Sequence, residues 1–330
     1  MKYRKLGRSS LNVSEVGFGA WSIGTNWWGE VSEHKSEELL RRAFSLGINF
    51  FDTADAYGDG QSERFIAKVL KTKRDRIVLS TKFGYDIYSK QDRKGHGERN
   101  QNFTPEFIRL ALQKSLERLE TDYIDLYQIH NPRMSVITDT KVFETLEDLR
   151  KEGKVRFFGV ALGPAIGWLD EGLTAMKTTD TISLQTVYNM LEQEPGREFF
   201  NIARERDVGI LVRVPHASGL LDRKFTPDTN FGNNDHRSYR MREWLLKGYE
   251  KMDALKFLTE GKNRTLAQVA IKFALVEKSV SSVLPTITSL TDLEEYAKAS
   301  DLEDLTDDEI ARITGFYENV FRISVPSLIA

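Results

Sequence analysis

Eight short apolar runs, separated by stretches of helical periodicity, constrain this chain more than any other feature. They are residues 16–19, 48–51, 77–80, 123–129, 155–160, 181–185, 209–214 and 280–284. β-Branched and aromatic residues are frequent in them, as in parallel strands buried on both faces. Between the runs, apolar residues recur on one helical face. Leu39, Leu40, Ala43 and Phe44 form one stripe, with Ser36 as its expected cap, and Phe65, Ile66, Val69 and Leu70 form another. Thr104 and Pro105 open a third stripe, from Phe107 to Leu119. Thr265 with Gln268, and Thr306 with Glu309, read as capping boxes.

A strand followed by a helix, eight times, predicts an α/β chain folded as a closed (β/α)8 TIM barrel. The rival is an open doubly wound sheet, but no Gly-x-Gly-x-x-Gly follows the first strand. Two extended stretches near residues 3–6 and 11–13, joined by Gly7-Arg8-Ser9-Ser10, predict a hairpin at the barrel bottom. The chain reads as a single domain over 1–330. Long connections at 84–103 and 220–242 follow strands, which assigns them to the C-terminal face, where barrels place their chemistry.

Composition removes several function classes. Lys and Arg number 47 against 49 Asp and Glu, so there is no basic excess to suggest nucleic acid as a partner. No apolar run reaches membrane-spanning length, and the first residues carry no signal core, so a cytoplasmic protein without a membrane partner is expected. Cys is absent, which excludes disulfides and thiolate chemistry. His96, Glu98 and Arg99 in the third loop lack further ligands, and no metal is expected. An apolar tail, residues 323–330, suits either a cover for its own barrel or contact with a second copy in a homo-oligomer.

Polar residues stand at the ends of three adjacent strands. The second runs into Asp52-Thr53-Ala54-Asp55-Ala56-Tyr57-Gly58, the third into Thr81-Lys82-Phe83, and the fourth into Gln128-Ile129-His130-Asn131. A barrel would bring Asp52, Tyr57, Lys82 and His130 together. A phenol is a poor acid at neutral pH, with a reference pKa of about 10. A nearby ammonium favours its anion, which Lys82 would supply, with Asp52 as the counter-charge. His130 would orient a carbonyl oxygen. Such a set protonates an oxygen as charge develops on it and offers no nucleophile for acyl transfer. A purely structural Asp52–Lys82 pair, an ordinary loop aromatic at Tyr57 and a satisfied strand-end histidine at 130 remain the bland alternatives.

These residues, with Ser62-Glu63, Gly17-Phe18-Gly19-Ala20-Trp21, Asp125-Leu126-Tyr127-Gln128-Ile129-His130 and Gln185-Thr186-Val187-Tyr188-Asn189, resemble the aldo-keto reductase family over nearly the whole chain. The resemblance implies a barrel enzyme using NAD(P)H to reduce an aldehyde, ketone or sugar carbonyl, or to run the reverse. It implies Tyr57 as general acid/base, tuned by Lys82 and Asp52, with His130 positioning the carbonyl. It assigns cofactor contacts to Gly19, Ala20, Trp21, Asp52, Gln185, Arg213, Val214, Pro215, Ala217, Gly219, Leu220, Pro285, Thr286, Thr288, Asp292 and Glu295. Trp21, Trp27, Trp28, Tyr57, Phe83, Tyr85 and His130 are expected around the small-molecule substrate. Alternatives are a sugar oxidoreductase or epimerase with tightly held cofactor, and a non-catalytic cofactor-binding sensor or regulatory partner.

Three departures from the family pattern stand out. Ala161 and Leu162 replace the usual Ser-Asn that holds the nicotinamide carboxamide. Arg213 stands where an aromatic ring is common, and would stack on the nicotinamide or bind an anion. The run 284–296 has no Lys or Arg for a 2′-phosphate and carries Asp292 instead, which suggests NADH preference unless Arg223 or Lys224 supplies the charge. His216 and His236 are candidate pocket or lid residues.

Overall fold

The computed structural model describes residues 1–321 apart from 26, 28–30, 90–98, 164–165, 223–224, 233–234 and 240–241. An antiparallel hairpin of β1 (Tyr3–Lys5) and β2 (Asn12–Ser14) comes first. Eight parallel strands follow: β3 (Phe18–Gly19), β4 (Phe50–Asp52), β5 (Val78–Phe83), β6 (Ile124–His130), β7 (Val155–Ala161), β8 (Ser183–Val187), β9 (Gly209–Arg213) and β10 (Val280–Leu284). Each pairs with its neighbours in chain order. Parallel bridges Val16–Val283 and Gly19–Thr286 join the first strand region to the last and close the barrel. Every expected run overlaps one of these strands, and the expected hairpin is present.

The helices start where their caps dictate. The Thr104 hydroxyl accepts from the Phe107 N–H, with Pro105 in the first turn, and both capping boxes form. Ser36 is a correction. The helix Glu33–Ser45 begins a turn earlier, capped by Ser32, and the buried Ser36 hydroxyl donates to the Ser32 carbonyl. Among the described residues no helix is long and apolar enough to cross a membrane.

Strand alternation sorts side chains into two environments. Outward residues such as Phe51, Leu79, Tyr127 and Ile129 join the large core beneath the helices. Inward residues fill the barrel in layers. At the bottom lie Phe50, Val78, Leu126, Leu211 and Leu284, with Leu6, Leu11 and Val13 of the hairpin packed on them. Gly7, at φ +51°, fits against the backbone of residues 182, 207 and 209, where a Cβ would come within 2.7 Å of each. The barrel bottom is therefore stoppered.

Arg4 fastens that stopper. Its Nε donates to Glu15 Oε1 at 2.9 Å, its Nη2 to the Leu275 carbonyl at 2.9 Å and its Nη1 to the Val280 carbonyl at 3.0 Å. Removing these charge-assisted bonds leaves buried acceptors unpaired. Arg4→Ala should lower unfolding stability by about 2–3 kcal/mol. Urea unfolding checks this, and a change below roughly 0.5 kcal/mol, the size of an ordinary surface substitution, would deny the residue that role.

Candidate active site

Above the apolar layer the inward positions turn polar. Two residues beyond Phe50 stands Asp52, two beyond Val78 stands Ser80 and then Lys82, and two beyond Leu126 stands Gln128 and then His130. Registers Asp52–Ser80 and Lys82–Gln128 hold the first of these at neighbouring heights. The Lys82 ammonium, wholly buried, donates to Asp52 Oδ2 at 2.6 Å, to the Thr53 carbonyl at 2.7 Å and to the Tyr57 hydroxyl at 3.3 Å. Burial opposes the Lys82 charge, and Asp52 followed by Tyr57 more than offsets it, so Lys82 holds its proton more tightly than an ordinary lysine. Asp52 Oδ1 accepts from the Ser80 hydroxyl at 3.0 Å and from the Gln128 amide at 2.9 Å.

His130 completes the group. Its ring meets Tyr57 edge-on at 5.9 Å and Tyr85 edge-on at 5.0 Å. Burial, then the positive charges of Lys82 and Arg213, push its pKa well below the usual histidine value. It is a neutral imidazole at physiological pH. The Tyr85 hydroxyl accepts from Asn131 Nδ2 at 2.7 Å, and Gln101 donates to the His130 and Asn131 carbonyls. The four expected residues thus converge, and the arrangement can present a phenolic proton and a neutral imidazole to one oxygen.

The strand ends opposite form a cleft. The turn after β9 carries four left-handed residues, Val214 (φ +55°), Ala217 (+47°), Ser218 (+57°) and Gly219 (+96°). A β-branched residue at such an angle is strained. It is held because the Val214 carbonyl accepts from both Asn189 Nδ2 and the Ala217 N–H. Val214, Pro215, His216, Ser218 and Gly219 line this cleft with Thr286 and Thr288 from the turn after β10. The His216 ring lies 4.4 Å from Tyr296, and its Nε2 lies 3.1 Å from the Ala267 carbonyl. Asp222, Phe225 and Arg237 complete the lining, and sequence reasoning singled out none of them. Arg237 lies over the rings of Phe225 and Phe231 and pairs with Asp235. Only the length of the 220–242 connection hinted at such a cover.

Whether these residues suit a nicotinamide dinucleotide can be tested on their unsatisfied atoms. His130 Nδ1, Gln185 Nε2 and Arg213 Nε are buried and have no partner among the described residues. Buried polar atoms of this kind call for a ligand or water. Gln185 offers the donor that a carboxamide oxygen requires, where Ala161 and Leu162 offer no side-chain group. Arg213 Nη2 donates to the Leu162 carbonyl at 2.7 Å, so backbone fixes the guanidinium at the mouth. Burial lowers the Arg213 pKa, against the opposing pull of Tyr57 and Asp52. The residues present fit the group.

Some expected contacts lie elsewhere and others stand near the cleft. Phe83 is fully buried, stacked on Tyr127 at 4.5 Å and edge-on to Phe103, so it is a core residue and not a pocket wall. Alternation explains the correction, because Lys82 points inward and its neighbour must point out. Glu295 is tied to the cap of the preceding helix, Leu266–Val276, accepting from the Thr265 hydroxyl at 2.6 Å. Leu220 is buried and packs toward Gly248. Asp292 Oδ2 accepts from the Thr288 hydroxyl at 3.1 Å. Ala20 continues the end of β3, its N–H donating to the Asp52 carbonyl, while Pro285 adjoins Gly19. Trp21 and Trp27 face each other at 5.8 Å. Trp28, Glu98, His96, Arg223, Lys224, the His236 side chain and the tail 323–330 lie outside the described residues. Among the described residues no cluster of His, Asp and Glu is arranged for a metal ion.

The Aldo/keto reductase family model matches residues 15–318. The oxidoreductase YqkF of Bacillus subtilis is 30% identical over 315 residues, covering 94% of each chain. The NADH-specific methylglyoxal reductase of Escherichia coli is 27% identical over 311 residues, covering 91% of this chain and 93% of its own. The structure of aldo-keto reductase AKR11C1 from Bacillus halodurans in its holo form superposes with a TM-score of 0.76 at 31% identity, over 96% of each chain.

Behind the site sits a group that sequence reasoning passed over. Asp55 is wholly buried, and neither carboxyl oxygen meets a side-chain hydrogen-bond donor among the described residues. Burial, then the charge of Glu63, raise its pKa well above the usual carboxylate value, so it is held as the neutral acid. Above its unfolded pKa, the unfolded chain carries Asp55 ionised and hydrated while the folded chain keeps it protonated. Its contribution to stability is therefore full at low pH and declines as pH rises toward the folded value. Asp55→Asn does not titrate, so its melting temperature relative to the parent should rise between pH 5 and pH 8. Thermal unfolding at both pH values checks this, and an unchanged difference would remove Asp55 as a buried neutral acid.

Proposed function

The chain belongs to the aldo/keto reductase family and is an NAD(P)-dependent oxidoreductase, and from that premise we propose that Tyr57 is its proton donor in reducing an aldehyde, ketone or sugar carbonyl. The observation that carries this reading is the Lys82 ammonium 3.3 Å from the Tyr57 hydroxyl, itself anchored on Asp52. A bound nicotinamide dinucleotide supplies the hydride for the carbonyl carbon.

The protein's own work is to place and protonate the oxygen. His130, neutral and at the mouth, donates a hydrogen bond to the carbonyl oxygen and fixes its direction. Tyr57 gives up its proton as negative charge gathers there. Lys82 then faces a phenolate in place of a phenol, and its hydrogen bond to that oxygen strengthens as it becomes charge-assisted. That gain exists only as the proton leaves, so it lowers the barrier without tightening the resting complex. Trp21, Trp27 and Tyr85 form the apolar wall that admits the substrate carbon skeleton. In the oxidative direction the phenolate takes the alcohol proton by the same path.

For the cofactor, Gln185 holds the carboxamide and the strained turn 214–219 approaches the phosphates. The Thr288–Asp292 hydrogen bond supports a preference for NADH, since an acid beside a ribose accepts from its hydroxyl and repels a 2′-phosphate. The E. coli relative named as NADH-specific is in keeping with this.

Tyr57→Phe should lower the turnover number at least roughly a hundredfold, the usual scale of acid–base catalysis, with cofactor affinity kept within about twofold. Steady-state rates beside fluorescence titration of cofactor measure both, and undiminished turnover would remove Tyr57 from the acid role. The same titration with both reduced cofactors should give a dissociation constant for NADH lower than that for NADPH. Tighter NADPH binding would overturn the preference.

A further inference from the structure

We propose that Gln128 is a positioning residue for proton transfer, acting through Asp52 to hold Lys82 against Tyr57, an inference that rests on the acid role given to Tyr57 above. Its Nε2 lies 2.9 Å from Asp52 Oδ1 and 2.7 Å from the Ser80 hydroxyl oxygen, while that hydroxyl donates to the same Asp52 oxygen at 3.0 Å. Ser80 and Gln128 are wholly buried and Asp52 is almost so.

The arrangement fixes the amide's orientation. Turned over, the amide would set its oxygen against a carboxylate oxygen and against a hydroxyl whose proton is already engaged. Only the N–H face fits. The two oxygens of Asp52 are thereby divided. Oδ1 takes the two neutral donors and Oδ2 is left for the Lys82 ammonium. A carboxylate held by a single ion pair can rotate or take up a proton, and either change would let the ammonium drift from the Tyr57 oxygen. Two neutral donors oppose both.

The arrangement carries a cost that packing does not explain. Gln128 Oε1 is buried with no partner among the described residues. Two residues earlier on the same strand the inward position is Leu126, part of the apolar floor. A methionine would fill the Gln128 volume and leave no orphan acceptor. The amide is retained where an apolar side chain would pack, which points to its N–H group as the reason. The charged and titratable groups toward which this layer faces are Asp52 on β4, Lys82 on β5, Tyr57 beyond β4, His130 on β6 and Arg213 on β9.

The test uses the full-length protein with a reactive aldehyde and its preferred cofactor. Gln128→Met should lower the turnover number roughly tenfold, the worth of one hydrogen bond to a charged group, with KM and cofactor affinity within about twofold. Gln128→Glu should be slow at neutral and alkaline pH and regain rate as pH falls and the introduced carboxyl, once protonated, donates to Asp52 as the amide does. A packing role would produce neither the selective loss in turnover nor that new pH dependence. If Gln128→Met does not fold, Ser80→Ala, which removes only one oxygen, should show a severalfold loss in turnover with cofactor affinity unchanged. Turnover and pH profile equal to the parent in whichever of these variants folds would overturn the proposal. Tyr57→Phe run in parallel separates the two readings. If it is inactive while the Gln128 variants match the parent, only the positioning role fails; if it turns over like the parent, the acid assignment beneath it fails.

Discussion

The structure is organised around an ammonium ion with no access to water. Removing such a charge from solvent costs on the order of several kcal/mol even after relaxation, and Lys82 is wholly buried. Asp52, the Thr53 carbonyl and the Tyr57 hydroxyl are its compensation, one ion pair and two hydrogen bonds. A pair of this kind adds little net stability compared with an apolar core of the same volume. Its value lies in direction, because a charge that cannot be hydrated must point at its partners, and one of these is a phenol at the mouth. The same charge, through burial and proximity, helps keep His130 uncharged. The gap that already separates an ammonium from an imidazole in water is thus widened from both sides.

How the chain builds this position is visible in the period of its strands. Inward residues change from Phe50 to Asp52, from Val78 to Ser80 and Lys82, and from Leu126 to Gln128 and His130 within a few residues. The barrel is apolar at one end and polar at the other, and one-residue slips would exchange the two faces. Closure and the stoppered floor keep these heights in register.

Much of this was legible in the residues. The alternation of strands and helices gave the barrel, the cap residues placed three helix starts, and the polar strand ends identified the four converging side chains. Two readings failed for local reasons. Ser36 looks like a cap, but Ser32 lies one turn earlier and the helix takes it first. Phe83 follows Lys82 directly and so shares its neighbourhood in sequence, though a strand sends the two to opposite sides. The remainder depends on long-range contacts that no local pattern announces. Gln128 meets Asp52 across 76 positions of chain, Arg237 reaches the cleft from the far part of a long connection, and the isolation of Asp55 appears only once its surroundings are assembled.

The hairpin floor has a consequence for traffic. Because Leu6, Leu11 and Val13 fill one end and Gly7 lies against the backbone there, the polar layer has no approach through the floor. The end of the barrel that carries no polar layer thereby decides from which side the other end is approached.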